Sequence, residues 1–255
     1  MVSTGSDGVQ MTCDGPKFAG LQLEGLELRQ GDFRLSATLA IPAGARVALI
    51  GPSGAGKTTL LSAIAGFLPP SAGRILWAGT DIGALPPGER PLSILFQDQN
   101  LFPHLTVGQN LGLGIDPRLR LSAGDKVRIG GVLDKVGLAG MAARRPAELS
   151  GGQQSRVALA RALLRGRPML LLDEPFAALG PALKDEMLAL VAGMAAEKGT
   201  TVLMVSHDPA DARALCPETI LVAEGRALPP QPTEALLNAP PPVLRAYLGQ
   251  RHTER

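Results

Sequence analysis

Aromatic residues are scarce in this chain of 255 residues, where Phe, Trp and Tyr together make up 3% of the sequence. A hydrophobic core must therefore be built mainly from leucine, valine, isoleucine and alanine. Long apolar runs are also lacking: none approaches the ~18 residues that a helix needs to cross a bilayer, so any membrane contact must come through a partner. The formal net charge is only +2, which gives no reason to expect a nucleic-acid partner.

Cysteine is nearly absent too. Cys13 and Cys216 lie far apart in sequence and match no metal-binding or redox spacing. Two unrelated reduced thiols are typical of a cytosolic protein, and a structural disulfide is the weaker interpretation. Residues 1–20 contain no apolar core of a signal peptide. We therefore expect residues 1–20 to be a disordered extension and residues 21–255 to form one domain.

The strongest motif is a glycine-rich loop that fits the pattern G-x-x-x-x-G-K-[ST]. It follows the apolar run 47–50, which predicts a buried parallel strand, and precedes a helical pattern over 59–65. Backbone N–H groups in such a loop point at phosphates, Lys57 is expected to reach the β- and γ-phosphates, and the Thr58 hydroxyl to bind Mg²⁺. The predicted nucleoside triphosphate site comprises Gly51, Pro52, Ser53, Gly54, Ala55, Gly56, Lys57, Thr58 and Thr59.

Three further candidate sites each follow a short apolar strand: Gln97, the pair Asp173–Glu174, and His207. Ligands bind outside the carboxyl ends of strands in an open parallel sheet, so these residues are expected to meet at the phosphate loop. Thr58, Gln97 and Asp173 would hold the metal, Glu174 would polarise water, and His207, left exposed at its strand end, would sense the γ-phosphate. A charged turn and a surface histidine are the plain alternatives. The convergence favours an ATP hydrolase.

The spacing of apolar residues outside these motifs predicts the fold class. Residues 21–44 alternate apolar and polar, which predicts an antiparallel hairpin turning at 29–32. Residues 107–147 are mainly helical in pattern, broken at Pro117 and by several glycines, and the strand pattern resumes only at Met169. We therefore expect an α/β fold: a P-loop NTPase core with a parallel-rich sheet, an N-terminal antiparallel β region, and a helical subdomain inserted at about 98–165.

A second candidate anion site opens the helix that follows this lobe. Ser150 and Gln153 form a capping box, with Gly151 and Gly152 between them. Two glycines in a first helical turn lower helix stability, which suits a helix end that must approach an anion closely. Because this motif lies across the inserted lobe, it would serve a second copy of the chain.

Together these motifs resemble, in order and spacing, the ATPase subunits of ABC transporters over about residues 21–240. The resemblance implies an ATP-sandwich homodimer in which the segment 150–153 contacts ATP held by the opposite subunit. It also implies that residues 97–107 help to receive a coupling helix of an integral membrane permease. Leu101, Phe102 and Leu105 would then be partly exposed, and the alternative is that they are core residues.

Four segments are similar to one branch, the bacterial thiamine importer ATPases: 64–68, 90–97, 105–114 and 203–207. This resemblance implies a peripheral protein on the cytoplasmic face of the bacterial inner membrane, served indirectly by a periplasmic solute-binding protein. The alternatives are an importer of the polyamine, iron, sulfate or molybdate type, and a soluble ABC ATPase that acts on DNA or ribosomes. A P-loop small-molecule kinase would have no use for the segment 150–153.

Two positions depart from the family pattern. Gln30 stands near the place where the family has an aromatic residue that stacks on adenine, and Phe33 is the closest aromatic. Gly180 stands where the family usually has an aspartate in the loop after the catalytic glutamate. Gly180 cannot make that polar contact across a dimer, so we expect altered communication between two nucleotide sites.

Overall fold

The computed structural model describes residues 18–96, 101–177 and 179–252, except for the side chains of 250–252. Its strands are β1 (Gly20–Gln30), β2 (Phe33–Pro42), β3 (Arg46–Ile50), β4 (Ala72–Trp77), β5 (Thr80–Asp81), β6 (Leu92–Leu95), β7 (Met169–Asp173), β8 (Thr201–Val205), β9 (Glu218–Ala223), β10 (Arg226–Ala227) and β11 (Gln231–Pro232). Its α-helices are α1 (Lys57–Ala65), α2 (Val107–Gly112), α3 (Ala123–Lys135), α4 (Gly151–Leu164), α5 (Pro181–Lys198), α6 (Pro209–Leu215), α7 (Thr233–Asn238) and α8 (Pro242–His252).

The strands join in one sheet with the order β5-β4-β1-β2-β10-β9-β3-β8-β7-β6, and β11 pairs with β9. The run β9-β3-β8-β7-β6 is parallel throughout, whereas β1 pairs antiparallel with both β2 and β4. This arrangement confirms the predicted α/β class, with a parallel-rich core and an N-terminal antiparallel region. Most of the predicted N-terminal extension lies outside the described residues, and Gly20 already belongs to β1.

The side chains of β3 point alternately to the two faces of the sheet, and each face is covered by its own hydrophobic layer. Val47 and Leu49 pack into one hydrophobic cluster with β1, β2 and α1, and Ala48 and Ile50 pack into a second with α4, α5 and α6. Successive side chains of a strand point to opposite faces, so a strand covered on both faces must be apolar at every position. The clusters are almost wholly aliphatic, as the scarcity of aromatic residues requires.

The helices α2, α3 and α4 share a third hydrophobic cluster that includes Val107, Ile129, Leu133 and Val157. Between Leu95 and Met169 the described residues contain no strand, as predicted. The helical run over 107–147 is broken, as predicted: residues 113–122 and 136–145 form turns and loops. Pro117 and glycines with positive φ interrupt the helices there. The subdomain bounds of about 98–165 stay a prediction.

The C-terminal segment packs more firmly than its weakly helical sequence indicates. The helices α7 and α8 bury Leu236, Leu237, Leu244 and Tyr247 against the second cluster. Across the described ranges, no helix combines the length and the apolar character that crossing a membrane requires.

Candidate nucleotide-binding site

The phosphate loop connects β3 to α1, and two of its glycines have no room for a side chain. A Cβ at Gly51 would lie 1.9 Å from the carbonyl oxygen of Val222 on β9. Gly56 has φ of +101° and caps the N-terminus of α1, and a Cβ there would lie 2.5 Å from Cζ of Phe33. Because the chain passes so close to β9 and to Phe33, only glycine fits both positions.

Lys57 closes this loop from inside. Its side chain is buried, and Nζ donates to the carbonyl oxygens of Gly51 at 2.8 Å and Pro52 at 2.9 Å. The ammonium group therefore lies within the concave side of the loop, at the N-terminus of α1. A helix N-terminus and a fixed cation at one point form a suitable site for a polyphosphate.

Thr58 and Asp173 bring two hard oxygen donors together beside the loop. Thr58 Oγ1 donates to Asp173 Oδ1 at 3.1 Å, and Asp173 is the last residue of β7. Burial raises the pKa of the Asp173 carboxyl and Glu174 adds to this, while the Thr58 hydrogen bond and the charges of His207 and Lys57 oppose it. Hydroxyl and carboxylate oxygens suit Mg²⁺, which takes its other ligands from water and phosphates. In the described part of the chain, no cluster of three His, Cys, Asp or Glu could hold a metal ion by itself.

Glu174 and His207 meet at the carboxyl ends of β7 and β8. Glu174 has φ of +47°, a strained conformation for a residue with a Cβ, and its N–H donates to the Val205 carbonyl at 3.1 Å. Its Oε1 contacts Nε2 of His207. His207 was expected to be exposed, and this is wrong: it is half-buried, with Nδ1 3.1 Å from the hydroxyl of Tyr247.

These residues line one cavity of about 220 Å³. Its lining consists of Phe33, Ser53, Gly54, Gly56, Lys57, Thr58, Thr59, Glu174 and His207. The volume suits a triphosphate better than a whole nucleotide. Phe33 lies over Gly56, so its ring borders the phosphate end of the cavity, and Gln30 is exposed on the hairpin. The adenine ring would therefore have to bind beyond these residues.

Two parts of the predicted site, Gln97 and the segment 150–153, are not among the described residues that line this cavity. Gln97 falls outside the described residues. Ser150 caps α4 by accepting from the N–H of Gln153 at 3.3 Å, and Gln153 Oε1 accepts from the N–H of Ser150 at 3.0 Å, which confirms the capping box. Ser150 and Gly151 are exposed, and the segment 150–153 does not line the cavity of the phosphate loop.

Sequence reasoning missed two sets of contacts that support the site. Tyr247, the chain's one tyrosine, reaches His207 from α8. Lys184 on α5 pairs with Asp208 and Asp211, each at 2.7 Å, and so ties α5 to the turn that carries His207. Neither contact has a local sequence signal, because each joins segments more than 20 residues apart. The rarity of tyrosine was the one available pointer.

Gly180 occupies the N-cap position of α5 without steric need. A Cβ there would meet no atom within 4 Å, and its φ of −65° is open to any residue. With glycine at this position, α5 has no side-chain cap at its N-terminus.

Comparison with known proteins agrees with this geometry. The ABC transporter family matches residues 36–177. A protein of Cereibacter sphaeroides named thiamine import ATP-binding protein ThiQ is 68% identical over 229 residues, covering 90% of this chain and 99% of that protein. Proteins of the same name from a Ruegeria species and from Salmonella typhimurium are 60% and 51% identical, covering 90% and 79% of this chain and 99% and 86% of their own lengths. The chain therefore belongs to the ABC transporter family.

Proposed function

We propose that this chain is the ATP-hydrolysing subunit of an ABC importer for thiamine or its phosphates. Family membership implies ATP as the nucleotide and a membrane permease as the partner. The solute is inferred from the relatives, which carry the name of thiamine import proteins at up to 68% identity. The observation that carries the ATPase activity is the meeting of Lys57, Thr58, Asp173, Glu174 and His207 at one edge of the sheet.

Each group at this edge has a distinct part in hydrolysis. Lys57 and the backbone amides of the loop bind the β- and γ-phosphates. Thr58 and Asp173, together with Gln97, would hold Mg²⁺, which when bound neutralises charge on the phosphate oxygens. Glu174 polarises the attacking water, and His207 donates to the γ-phosphate. Direct contact between Glu174 and His207 keeps both side chains on the same wall of the cavity.

The other half of the site is proposed to come from a second copy of the chain. The α4 N-terminus is exposed, begins with two glycines, and does not line the phosphate cavity of its own subunit. A bare helix N-terminus attracts anions. In a head-to-tail homodimer the segment 150–153 of one copy would cover the ATP bound by the other.

Two exposed aromatic side chains support the permease as partner. Phe67 and Phe102 are 55% and 45% exposed, and the Arg161 guanidinium lies 5.7 Å from the centre of the Phe102 ring. Leu101 and Leu105 are half-buried, as the resemblance implied. A groove of about 240 Å³ runs between Phe102, Ile94 and Arg165. Aromatic and arginine side chains are the common anchors of protein interfaces, so this groove suits a permease helix.

Assembly with a permease defines the remaining parts of the proposal. The chain would lie on the cytoplasmic face of the bacterial inner membrane, and a periplasmic solute-binding protein would act on it only through the permease. Residues 21–255 would act as a single ATPase domain, with the helical subdomain of about 98–165 carrying both the permease groove and the segment 150–153.

Uptake of radiolabelled solutes by cells that lack this chain tests the proposal. Thiamine uptake should be lost, and the wild-type chain should restore it, whereas Lys57→Ala should not, because nucleotide binding is weakened. Uptake of polyamine, iron, sulfate and molybdate by the same cells is the control and should stay normal. Normal thiamine uptake with loss of one of the others would overturn the thiamine assignment, and full ATP affinity of Lys57→Ala would overturn the role of the phosphate loop.

A further inference from the structure

The C-terminal helix contributes a side chain to the wall of the nucleotide site. Tyr247 on α8 places its hydroxyl 3.1 Å from Nδ1 of His207 and 3.3 Å from the backbone carbonyl oxygen of the same residue. The opposite ring nitrogen, Nε2, contacts Oε1 of Glu174. The imidazole is therefore held between Tyr247 and Glu174. Tyr247 lies 40 positions after His207 in the sequence.

The position of this hydroxyl is set by packing. The Tyr247 ring is buried in the second hydrophobic cluster, and Leu244, one turn earlier on α8, is fully buried there. A buried aromatic side chain has few rotamers available to it. The Tyr247 side chain is therefore already ordered when it contacts His207. A mobile surface side chain would lose conformational entropy on making the same contact.

The donors and acceptors determine which ring nitrogen carries a proton. Glu174 as a carboxylate can only accept, so Nε2 must carry a proton to make its contact. If the ring is neutral, Nδ1 carries no proton and accepts a hydrogen bond from the hydroxyl of Tyr247. If the ring carries a proton on both nitrogens, Nδ1–H donates to the hydroxyl oxygen and Tyr247 donates to the backbone carbonyl. A hydroxyl both donates and accepts, so Tyr247 satisfies Nδ1 in both forms.

We propose that Tyr247 is a positioning residue that holds the His207 imidazole with Nε2–H directed at Glu174, on the wall of the phosphate cavity. This inference rests on the proposed function, in which His207 donates to the γ-phosphate. Without nucleotide, Nε2–H donates to Glu174, and it is the ring donor that faces the cavity where the γ-phosphate would bind; a ring turned over would present a carbon there instead. Tyr247 makes that reversal costly, because the turned ring would lose the hydroxyl contact.

The substitution Tyr247→Phe tests this directly, because it removes the hydroxyl and retains the packed ring. We expect kcat for ATP hydrolysis to fall about three- to tenfold, the effect of losing one hydrogen bond of ordinary strength, with KM for ATP changing less than about twofold. The phosphate loop, which binds ATP, is untouched. A matched control is Thr233→Val at the first residue of α7, which removes a buried hydroxyl bonded to Thr219 and to the Cys216 carbonyl oxygen. It should lower the melting temperature and leave kcat unchanged.

Imidazole NMR of nucleotide-free protein supplies a readout that does not depend on activity. The chain has three histidines, so ¹⁵N-histidine labelling gives few signals, and His207→Gln identifies the one in question. In wild-type protein the Nε2 of His207 should be protonated, and Tyr247→Phe should add a measurable fraction of the Nδ1–H form. Thr233→Val should retain the wild-type spectrum.

Two results would overturn the inference: an unchanged His207 spectrum in Tyr247→Phe, or a kcat of Tyr247→Phe equal to that of the wild type. A fall in kcat that Thr233→Val reproduces would also overturn it, because the effect would then be one of general stability. A wild-type chain that hydrolyses no ATP would refute the proposed function, and the NMR comparison would still decide whether Tyr247 positions His207.

Discussion

The buried carboxylate of Asp173 is unfavourable for folding but suitable for binding a cation. Its carboxylate ends a strand that is buried along its whole length, and burial raises its pKa. A buried carboxylate whose described hydrogen-bond partner is one hydroxyl destabilises the folded chain, and a bound cation would offset that cost. The strained φ of Glu174, next in sequence, is a second cost at the same point. Both are expected where side chains are placed for chemistry.

Glu174→Gln should separate nucleotide binding from hydrolysis. An amide cannot take a proton from water, so we expect the turnover rate to fall about 100-fold or more, while ATP still binds Lys57 and the loop. Slow turnover should allow an ATP-bound dimer to accumulate. Light scattering after size-exclusion chromatography in Mg²⁺ and ATP measures this. A monomer under these conditions, with ATP bound, would contradict the sandwich arrangement.

Cys216 gives a pH-dependent test of the buried core. It is 1% exposed, and burial raises the pKa of its thiol to about 12. The unfolded thiol has a pKa of about 8.5, so the stability it contributes is complete below that value and is lost as the pH rises towards 12. The loss should reach about 2 kcal/mol by pH 10 relative to Cys216→Ala. Urea unfolding of both proteins at pH 7 and pH 10 measures it, and equal losses in the two proteins would contradict a buried neutral thiol.

At the scale of the element, the helix α1 is held at both ends by backbone geometry. Gly56 caps its N-terminus, and Gly66 ends it with φ of +91°. The buried guanidinium of Arg90 donates to the carbonyl oxygens of Ala63 and Ile64 at 2.7 and 2.8 Å, and burial lowers its pKa. Arg90 thus satisfies C-terminal carbonyls of the helix that bears Lys57 and links them to the residues just before β6.

The two glycines of α4 predict a conflict between helix stability and activity. A Cβ at Gly151 would meet no atom within 4 Å, so Gly151→Ala should raise the free energy of unfolding by about 0.5 kcal/mol. In the proposed dimer the same methyl group would stand between the helix N-terminus and the ATP of the second copy, and ATPase activity should fall. Gly131→Ala on the exposed face of α3, also free of clashes, is the control. It should give a similar stability gain and normal activity; normal activity in both variants would count against the dimer.

At the scale of the whole molecule, the sheet separates two kinds of surface. The carboxyl ends of β3, β7 and β8 carry the phosphate site. The helices α2 to α4 carry their own hydrophobic cluster, and the exposed Phe102 lies in the loop before α2. β6, the last strand before the helical region, pairs with β7, which ends at Asp173. Nucleotide chemistry and permease binding can therefore be coupled through adjacent strands.

Phe102→Asp should weaken the association with the permease. A charge replaces an exposed aromatic group that the Arg161 guanidinium covers, and loss of such an anchor costs about 2 kcal/mol of binding. Copurification with the detergent-solubilised permease and thiamine uptake in cells measure it. Val127→Asp is the control, because Val127 is 75% exposed on α3, where no permease contact is proposed. Equal effects of the two substitutions would show that Phe102 has no special part.

Local sequence determined the features that depend on neighbouring residues. The phosphate loop, the capping box at Ser150 and the hairpin over 20–42 each arise from spacing within about a dozen residues, and the structure shows all three. The buried strands were predictable because both faces of each strand are covered, which requires continuous apolar runs. The breaks in the helical pattern were local signals as well, because Pro117 and the glycines mark the turns over 113–122 and 136–145.

The tertiary structure alone decided what surrounds His207. His207 was predicted from its place after a strand, yet its partners are Glu174, which follows β7, and Tyr247 on α8, on either side in sequence. Contacts of this kind depend on how distant elements pack, and no spacing in the chain encodes them. The same holds for Lys184 with Asp208 and Asp211. The sequence by itself determined which residues end the strands, and packing determined which of them touch, because burial is a property of the whole fold.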